Sequence, residues 1–200
     1  MIGILGGTFN PLHMGHILLA KGAAEQCALE KVLLIPTNVP PHKAAPELAD
    51  AHHRLNFCRI AAGDDPLFEA CDIEIARQGR SYTSDTLEEL KAMYPERELA
   101  LIMGGDMFLS LRQWVRWRDI IRLAVICTAV RRGCEGDYDG YRAGLEREGA
   151  RIITMHLELP ELSSTELRAK LRRGDNVSGL IPDGVAEYIS RNGLYTGNGK

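Results

Sequence analysis

The stretch that decides the fold is Met1–His16, whose sequence is MIGILGGTFNPLHMGH. Its first five residues are apolar and predict a buried strand, while the Gly6–Gly7 pair and Pro11 predict a turn that leads into a helix. Glycines let backbone N–H groups approach a ligand closely, and a helix N-terminus carries roughly +0.5 charge. The turn is therefore expected to bind an anion, with His13 and His16 on one face of the first helical turn.

The histidine pair also fits plainer roles. Two histidines three residues apart would serve as helix caps or core residues, and the same spacing would suit zinc. No paired third ligand is evident, and the five cysteines contain no CxxC pair, so a structural metal is not expected. An odd number of cysteines fits no closed disulfide framework and favours a reducing, cytoplasmic compartment.

The composition indicates a small globular protein. With 200 residues and 45% hydrophobic content, the chain can bury about 70% of its unfolded surface, so we expect one domain over residues 1–195 and a disordered tail at 196–200. The net charge of -3 gives no basic footprint, and no nucleic-acid partner is expected. No apolar run reaches the roughly 20 residues of a membrane span, so no membrane partner is expected either. A homo-oligomer is compatible with the sequence.

Short apolar runs alternate along the chain with segments of helical periodicity. This alternation predicts a Rossmann-like α/β domain with a doubly wound, mostly parallel sheet and helices on both faces. Ligands are expected at the carboxyl ends of the strands. The predicted strands are Ile2–Leu5, Val32–Ile35, Ile73–Ile75, Leu99–Met103, Leu123–Thr128 and Arg151–Met155. The predicted helices are Met14–Cys27, Ala51–Gly63, Ser84–Met93, Tyr138–Glu148, Ser163–Arg173 and Asp183–Arg191. We interpret Thr37–Asp50 as a mobile active-site loop.

A second helix start, Leu162–Arg168, has the sequence LSSTELR. Ser163 and the glutamate three residues later match a capping box, which by itself explains a well-formed helix start. The same geometry offers phosphate ligands: free N–H groups, the hydroxyls of Ser164 and Thr165, and Arg168 one turn into the helix. Two anion-competent helix starts in one domain favour a phosphorylated ligand.

The two helix starts resemble the (H/T)xGH and ISSTxxR motifs of the nucleotidyltransferase superfamily, whose members transfer a nucleotidyl group to a phosphate acceptor and release pyrophosphate. Over nearly its full length the chain resembles one branch, the bacterial nicotinate-nucleotide adenylyltransferases. Further matching stretches are Pro40–Lys43 (PPHK), Asp72–Leu87 (D-x-E-x-x-R-x-G-x-S-Y-T-x-D-T-L), Gly104–Asp106 (G-x-D) with Trp114 eight residues later, and Arg131. All these stretches follow the family's order.

The resemblance implies a role for each matching residue. The implied ATP-binding residues are Gly6, Gly7, Thr8, Phe9, His13, His16, Asp106, Ser163, Ser164, Thr165 and Arg168. The implied mononucleotide-binding residues are His42, Lys43, Tyr82, Thr83, Trp114 and Arg131. The implied catalytic residues are His13, His16, Lys43 and Arg168. Amides around Tyr82 and Thr83 would hold the pyridine carboxylate, Trp114 would stack on the ring, and Mg²⁺ would be bound through the ATP phosphates rather than by a protein cage.

Several matches also have a plain structural interpretation: packing for Trp114 and Trp117, solvation for Arg77 and Arg131, and a rigid turn for Pro40–Pro41. Two positions depart from the family's pattern. Asn10 stands where Asp is frequent, and Arg132 stands where an R-P-G turn usually has Pro. Asn10 keeps an amide that can orient the loop, and Arg132 can still occupy a turn.

The expected reaction is adenylyl transfer from ATP to nicotinate mononucleotide, which gives nicotinate adenine dinucleotide and pyrophosphate in NAD biosynthesis. One alternative is a related adenylyltransferase, such as one acting on phosphopantetheine, or a cytidylyltransferase. The Tyr82–Thr83 segment, Trp114 and the chain length disfavour it. Another alternative is a non-catalytic nucleotide sensor, which intact His13, His16, Lys43 and Arg168 disfavour.

Overall fold

The computed structural model describes residues 1–40, 47–130 and 135–196 of the chain. Six parallel strands form one sheet in the order β3-β2-β1-β4-β5-β6. The strands are β1 (Ile2–Gly7), β2 (Lys31–Pro36), β3 (Phe68–Ala70), β4 (Leu99–Gly104), β5 (Ala124–Val130) and β6 (Ile152–His156). The strand order reverses between β1 and β4, and such a switch point opens a crevice at the carboxyl ends of the two strands.

Helices cover both faces of this sheet. They are α1 (Met14–Gln26), α2 (Ala51–Asp64), α3 (Ile73–Arg77), α4 (Thr83–Met93), α5 (Gly105–Leu109), α6 (Trp117–Leu123), α7 (Glu135–Arg147), α8 (Ser164–Arg173) and α9 (Asp183–Arg191), with a 3₁₀ turn at Leu111–Gln113. The predicted Rossmann-like, doubly wound α/β class is confirmed. None of these helices in the described part of the chain is long and apolar enough to span a membrane.

The core lies in two layers because side chains alternate along each buried strand. Leu33 and Ile126 face the layer under α4 to α7, whereas their neighbours Leu34 and Cys127 face the layer under α1, α2, α8 and α9. Apolar residues and glycines therefore follow one another without polar interruption in β1 and β4. This pattern is typical of a parallel sheet that is covered on both faces.

The prediction of a strand at Ile73–Ile75 is wrong, since these residues begin helix α3 and the third strand is Phe68–Ala70. Apolar and polar residues alternate through both segments, so periodicity cannot decide which short run pairs with the sheet. Phe68 lies at the sheet edge because it pairs with Val32 in β2. Only three residues pair there, which is too short for a clear sequence signal.

The other predicted elements are confirmed, with ends that shift by at most three residues. The 3₁₀ turn and the short helices α5 and α6 between β4 and β5 were not predicted. Leu123, predicted to begin a strand, ends α6 instead, and β5 begins at Ala124. Residues 41–46 of the predicted loop and 197–200 of the predicted tail lie outside the described residues.

Candidate active site

The turn after β1 packs two histidine rings against each other. His13 precedes α1 and His16 lies in its first turn, with the ring centroids 3.7 Å apart and an interplanar angle of 31°. The backbone N–H of His13 donates to Nδ1 of His16 at 3.2 Å, and Phe9 meets the His16 ring edge-on at 5.1 Å. A Cβ on Gly15 would come within 3.1 Å of the His13 ring, so glycine permits this packing.

Burial keeps both imidazoles neutral at neutral pH. It lowers the pKa of His13 to about 4, and burial together with the neighbouring His13 lowers the pKa of His16 well below its usual range. A neutral imidazole carries one N–H, and the hydrogen bond accepted at Nδ1 of His16 leaves that proton on Nε2. His16 therefore offers one N–H donor from the wall of a cavity of about 580 Å³.

The N-terminus of α8 lies against the β1–α1 turn. The Ser164 hydroxyl donates to the carbonyl of Pro11 at 3.4 Å, and Nη1 of Arg168 donates to the carbonyl of Asn10 at 2.9 Å. The side chain of Ser163 caps the helix by accepting the N–H of Thr165 at 3.2 Å. The cap bond thus runs to the second helical residue rather than to the third, as the capping box would require. The two anion-competent helix starts share one edge of the sheet.

The cavity opens at the carboxyl ends of β1 and β4 and is lined there by Gly7 and Gly104. Tyr82 and Thr83 line another part of its wall, where α4 begins at Thr83. The N–H of Asp85 makes the first bond of this helix, to the Tyr82 carbonyl at 3.1 Å. Thr83, whose N–H precedes this bond, lines the cavity at the positive end of the helix dipole, where an anion is favoured.

Trp114 forms part of the same cavity wall. Its indole Nε1–H donates to the Ser110 hydroxyl at 3.3 Å, which fixes the orientation of the ring. Met107 and Val115, both exposed to about half of their surface (51% and 45%), extend this apolar wall to the mouth of the cavity. A flat aromatic ring could stack on this wall while an anionic substituent of the ring reached the N-terminus of α4.

Comparison with known proteins identifies relatives that match nearly the whole chain. Residues 4–170 match the cytidylyltransferase-like family model. A probable nicotinate-nucleotide adenylyltransferase of Desulfitobacterium hafniense (strain Y51) is 39% identical over 198 residues, which are 97% of this chain and 95% of the relative. A protein of the same name from Dehalococcoides mccartyi (strain ATCC BAA-2266 / KCTC 15142 / 195) is 38% identical over 195 residues, 96% of each chain. The chain belongs to the nicotinate-nucleotide adenylyltransferase family.

A solved structure supports the fold of this family member. Plasmodium falciparum nicotinic acid mononucleotide adenylyltransferase complexed with NaAD superposes with a TM-score of 0.79 at 17% identity, covering 97% of this chain and 96% of that chain. At that identity the likeness concerns the fold alone.

The sequence-predicted site residues of this family member fall into four groups in the structure. Those that line the cavity are Gly6, Gly7, Thr8, His16, Tyr82, Thr83 and Trp114. Those beside it in the β1–α1 turn and the start of α8 are Phe9, His13, Ser163, Ser164, Thr165 and Arg168. His42, Lys43 and Arg131 lie outside the described residues, as does Arg132. Asp106 is exposed in the first turn of α5, and the described cavity wall does not include it.

Asn10 departs from the family's sequence pattern, and its contacts explain why an amide suits this position. Its Nδ2 donates to the carbonyl of Glu47 at 3.0 Å, while its Oδ1 accepts the N–H of Ala49 at 3.1 Å. A carboxylate could accept the second bond but could not donate the first. Asn10 therefore ties the β1–α1 turn to the chain segment that precedes α2.

Sequence reasoning missed Arg54, the largest fully buried side chain of the described structure. Its guanidinium donates to the carbonyls of Thr8, Thr37, Asn38 and Ala49 at 2.5 to 3.1 Å. It thereby joins the ends of β1 and β2 to the start of α2. Arg54 shares an apolar helical stripe with Cys58 and Ala61, four and seven residues later, and a charged residue in such a stripe is the signal that would have found it.

Glu74 is a second missed residue, buried on the cavity wall. Its Oε1 accepts the Thr86 hydroxyl at 2.8 Å, and Arg77 in turn donates to that hydroxyl at 3.0 Å. Burial raises the pKa of Glu74, and the Ser81 and Thr86 hydroxyls offset part of this effect. Within the described residues no cluster of three or more His, Cys, Asp or Glu side chains could hold a metal ion.

Proposed function

We propose that this protein transfers the adenylyl group of ATP to the 5′-phosphate of nicotinate mononucleotide, with nicotinate adenine dinucleotide and pyrophosphate as products. The observation that carries the proposal is the contact between Arg168 of α8 and the Asn10 carbonyl of the β1–α1 turn. It brings two anion-competent helix starts together beside a cavity that also contains His16. Membership of the nicotinate-nucleotide adenylyltransferase family supports the assignment of donor and acceptor.

The chemistry needs positioning and charge stabilisation rather than a covalent intermediate. An oxygen of the acceptor phosphate is already ionised at neutral pH and attacks the α-phosphorus of ATP. The bond from that phosphorus to the bridging oxygen breaks, and pyrophosphate leaves with the bonding electrons. The enzyme has to hold two polyanions in line and stabilise the charge that gathers around the α-phosphorus.

We assign that stabilisation to the two histidines. Nε2–H of His16 donates to an α-phosphate oxygen or to the bridging oxygen, and His13 holds the ring in place through its backbone N–H. Both imidazoles are neutral before ATP binds because burial lowers their pKa values. A nearby phosphate favours the charged form of an imidazole and raises its pKa, so the arriving triphosphate opposes the effect of burial on both rings.

Arg168, Thr165 and the start of α8 are assigned to the triphosphate, and Lys43 stays a prediction for the departing pyrophosphate. Mg²⁺ is proposed to enter on the ATP phosphates as part of the substrate, because it usually keeps several waters and needs few protein ligands. The start of α4 and Trp114 are assigned to the pyridine carboxylate and ring. We also propose that residues 1–195 act as one domain in the cytoplasm.

The test is incubation of the purified protein with MgATP and one of three acceptors: nicotinate mononucleotide, nicotinamide mononucleotide or phosphopantetheine. CTP replaces ATP in a parallel series. Dinucleotide and pyrophosphate should accumulate in equal amounts, fastest with ATP and nicotinate mononucleotide, and the His16→Ala variant serves as the negative control. ATP binding without product from any acceptor would instead favour the sensor, and faster turnover of CTP would favour a cytidylyltransferase.

A further inference from the structure

The last described residues of the chain reach back to the phosphate-binding turn. The hydroxyl of Tyr195, which follows α9, donates to Oδ1 of Asn10 at 2.6 Å. The Tyr195 ring packs against the core layer beneath α1 and α2. Its φ of 61° lies in the left-handed region, which is uncommon for residues other than glycine. Core packing and one short hydrogen bond accompany this uncommon backbone conformation.

Asn10 connects this tyrosine to the proposed ATP site. Oδ1 of Asn10 accepts the Ala49 N–H as well as the Tyr195 hydroxyl, and Nδ2 donates to the Glu47 carbonyl. The backbone carbonyl of the same residue accepts Nη1 of Arg168 at 2.9 Å. The Asn10 carbonyl therefore makes the shortest of the contacts that hold the Arg168 guanidinium, beside those with Thr165 and Glu47. Both ends of the Asn10 amide are used to fix the position of Asn10 itself.

The Tyr195 hydroxyl is a dependable donor in this network. Burial raises the pKa of Tyr195, and the charges of Arg168 and Arg54 offset only part of that effect. The hydroxyl consequently keeps its proton over the pH range in which enzymes of nucleotide metabolism work, and it cannot turn into an anion next to the triphosphate. The carboxamide oxygen of Asn10 has no proton to give, so the direction of the bond is fixed.

We propose that Tyr195 is a positioning residue for ATP binding, because its hydroxyl holds the Asn10 turn in the place that sets Arg168. The inference rests on the proposed function for the identity of the ligand at Arg168. Tyr195 itself touches no reacting atom. It acts through Asn10. Its described contacts do not include the start of α4, which is assigned to the mononucleotide.

A matched pair of tyrosine variants tests this role. Tyr195→Phe removes only the hydroxyl that reaches Asn10. Tyr188→Phe removes a hydroxyl of α9 that accepts Asn56 Nδ2 at 2.8 Å and pairs with His53 Nδ1 at 3.0 Å, away from the proposed site. Both rings pack against the same core layer, so a general loss of stability would affect the two variants alike.

The measurement is the Kd of ATP by titration calorimetry without mononucleotide, together with the Tm and the KM of each substrate. Tyr195→Phe should weaken ATP about 3- to 10-fold, the worth of one hydrogen bond, and leave the KM of the mononucleotide within about 2-fold. Tyr188→Phe should keep the wild-type Kd. In an Asn10→Ala background, Tyr195→Phe should have no further effect on ATP binding, since the bond it removes is already gone.

Equal ATP affinity in Tyr195→Phe and Tyr188→Phe would overturn the proposal. So would an unchanged effect of Tyr195→Phe in the Asn10→Ala background. If the ATP affinities differ as expected but no acceptor yields a dinucleotide, the proposed acceptor is wrong and the positioning role of Tyr195 stands. If dinucleotide forms but the two tyrosine variants bind ATP equally well, the proposed function stands and the positioning role of Tyr195 is wrong.

Discussion

Acidification should destabilise this protein through His13, a buried residue with no hydrogen-bond partner at Nδ1 among the described residues. Burial lowers its pKa from 6.5 to about 4. Between pH 6.5 and about pH 4, His13 is therefore protonated in the unfolded chain but not in the native protein. The free energy of unfolding consequently falls as the pH falls. Proton linkage gives a loss of about 2 kcal/mol from this residue between about pH 7.5 and about pH 5.

The assay is urea unfolding followed by tryptophan fluorescence at the two pH values, on the wild type and on His13→Gln. The variant lacks the titrating ring, so its loss on acidification should be smaller than that of the wild type by about 2 kcal/mol. His16 should add a loss of the same sign, since burial and His13 lower its pKa as well. Comparing pH differences removes the constant cost of the substitution itself.

His156→Gln is the control, because His156 is exposed at the end of β6. It should lose as much stability on acidification as the wild type does. An equal pH effect in the wild type and in His13→Gln would refute the account. It would mean that His13 is solvated enough in the native state to titrate normally, and the donor chemistry proposed for a neutral histidine pair would lose its basis.

Four further results are expected. His16→Ala should lower kcat by about 10²-fold or more, the usual loss for one preorganised donor; near-normal kcat would exclude its contact with the α-phosphate. Trp114→Ala should raise the KM of the mononucleotide, because it removes ring stacking that contributes about 1 to 3 kcal/mol. A change in the KM of ATP instead would show that Trp114 does not contact the mononucleotide. Nicotinate mononucleotide should exceed its nicotinamide counterpart at least about 10-fold in kcat/KM, because an amide group pairs poorly with the N–H donors at Thr83; equal values would contradict this. Arg54→Lys should lower the free energy of unfolding by about 3 kcal/mol, since an ammonium cannot reach four carbonyls; an unchanged urea midpoint would argue against the role of Arg54.

Local sequence signals were sufficient for the fold wherever an element is long and buried. The strands β1 and β4 are continuous runs of apolar residues and glycine, and α9 has clear periodicity, so both their type and their place could be predicted. The signal failed where an element is short. The three-residue strand Phe68–Ala70 and the five-residue helix Ile73–Arg77 depend on neighbours that are far away in sequence, such as Val32 in β2.

The candidate site divides in the same way. The histidine pair and the start of α8 are local motifs whose chemistry could be read from their spacing. Arg54, Glu74 and Tyr195 could not be found so easily, because their partners come from separate parts of the chain. Tyr195 is 185 residues from Asn10 in sequence, and no local pattern encodes a contact of that kind. Such residues determine how the motifs are held relative to one another.

The buried charges explain how an acidic chain could bind two polyanions. Arg54 is held by four carbonyl oxygens, which satisfy its N–H groups without cancelling its charge. Its field therefore reaches Thr8 and the β1–α1 turn from within a low-dielectric interior, where salt screens it poorly. Arg168 approaches the same turn from α8, and its pairing with Glu47, at 3.5 Å, is loose and half-exposed on the glutamate side. Phosphates that bind at His16, as proposed, would consequently meet two cations that the free protein has not fully neutralised.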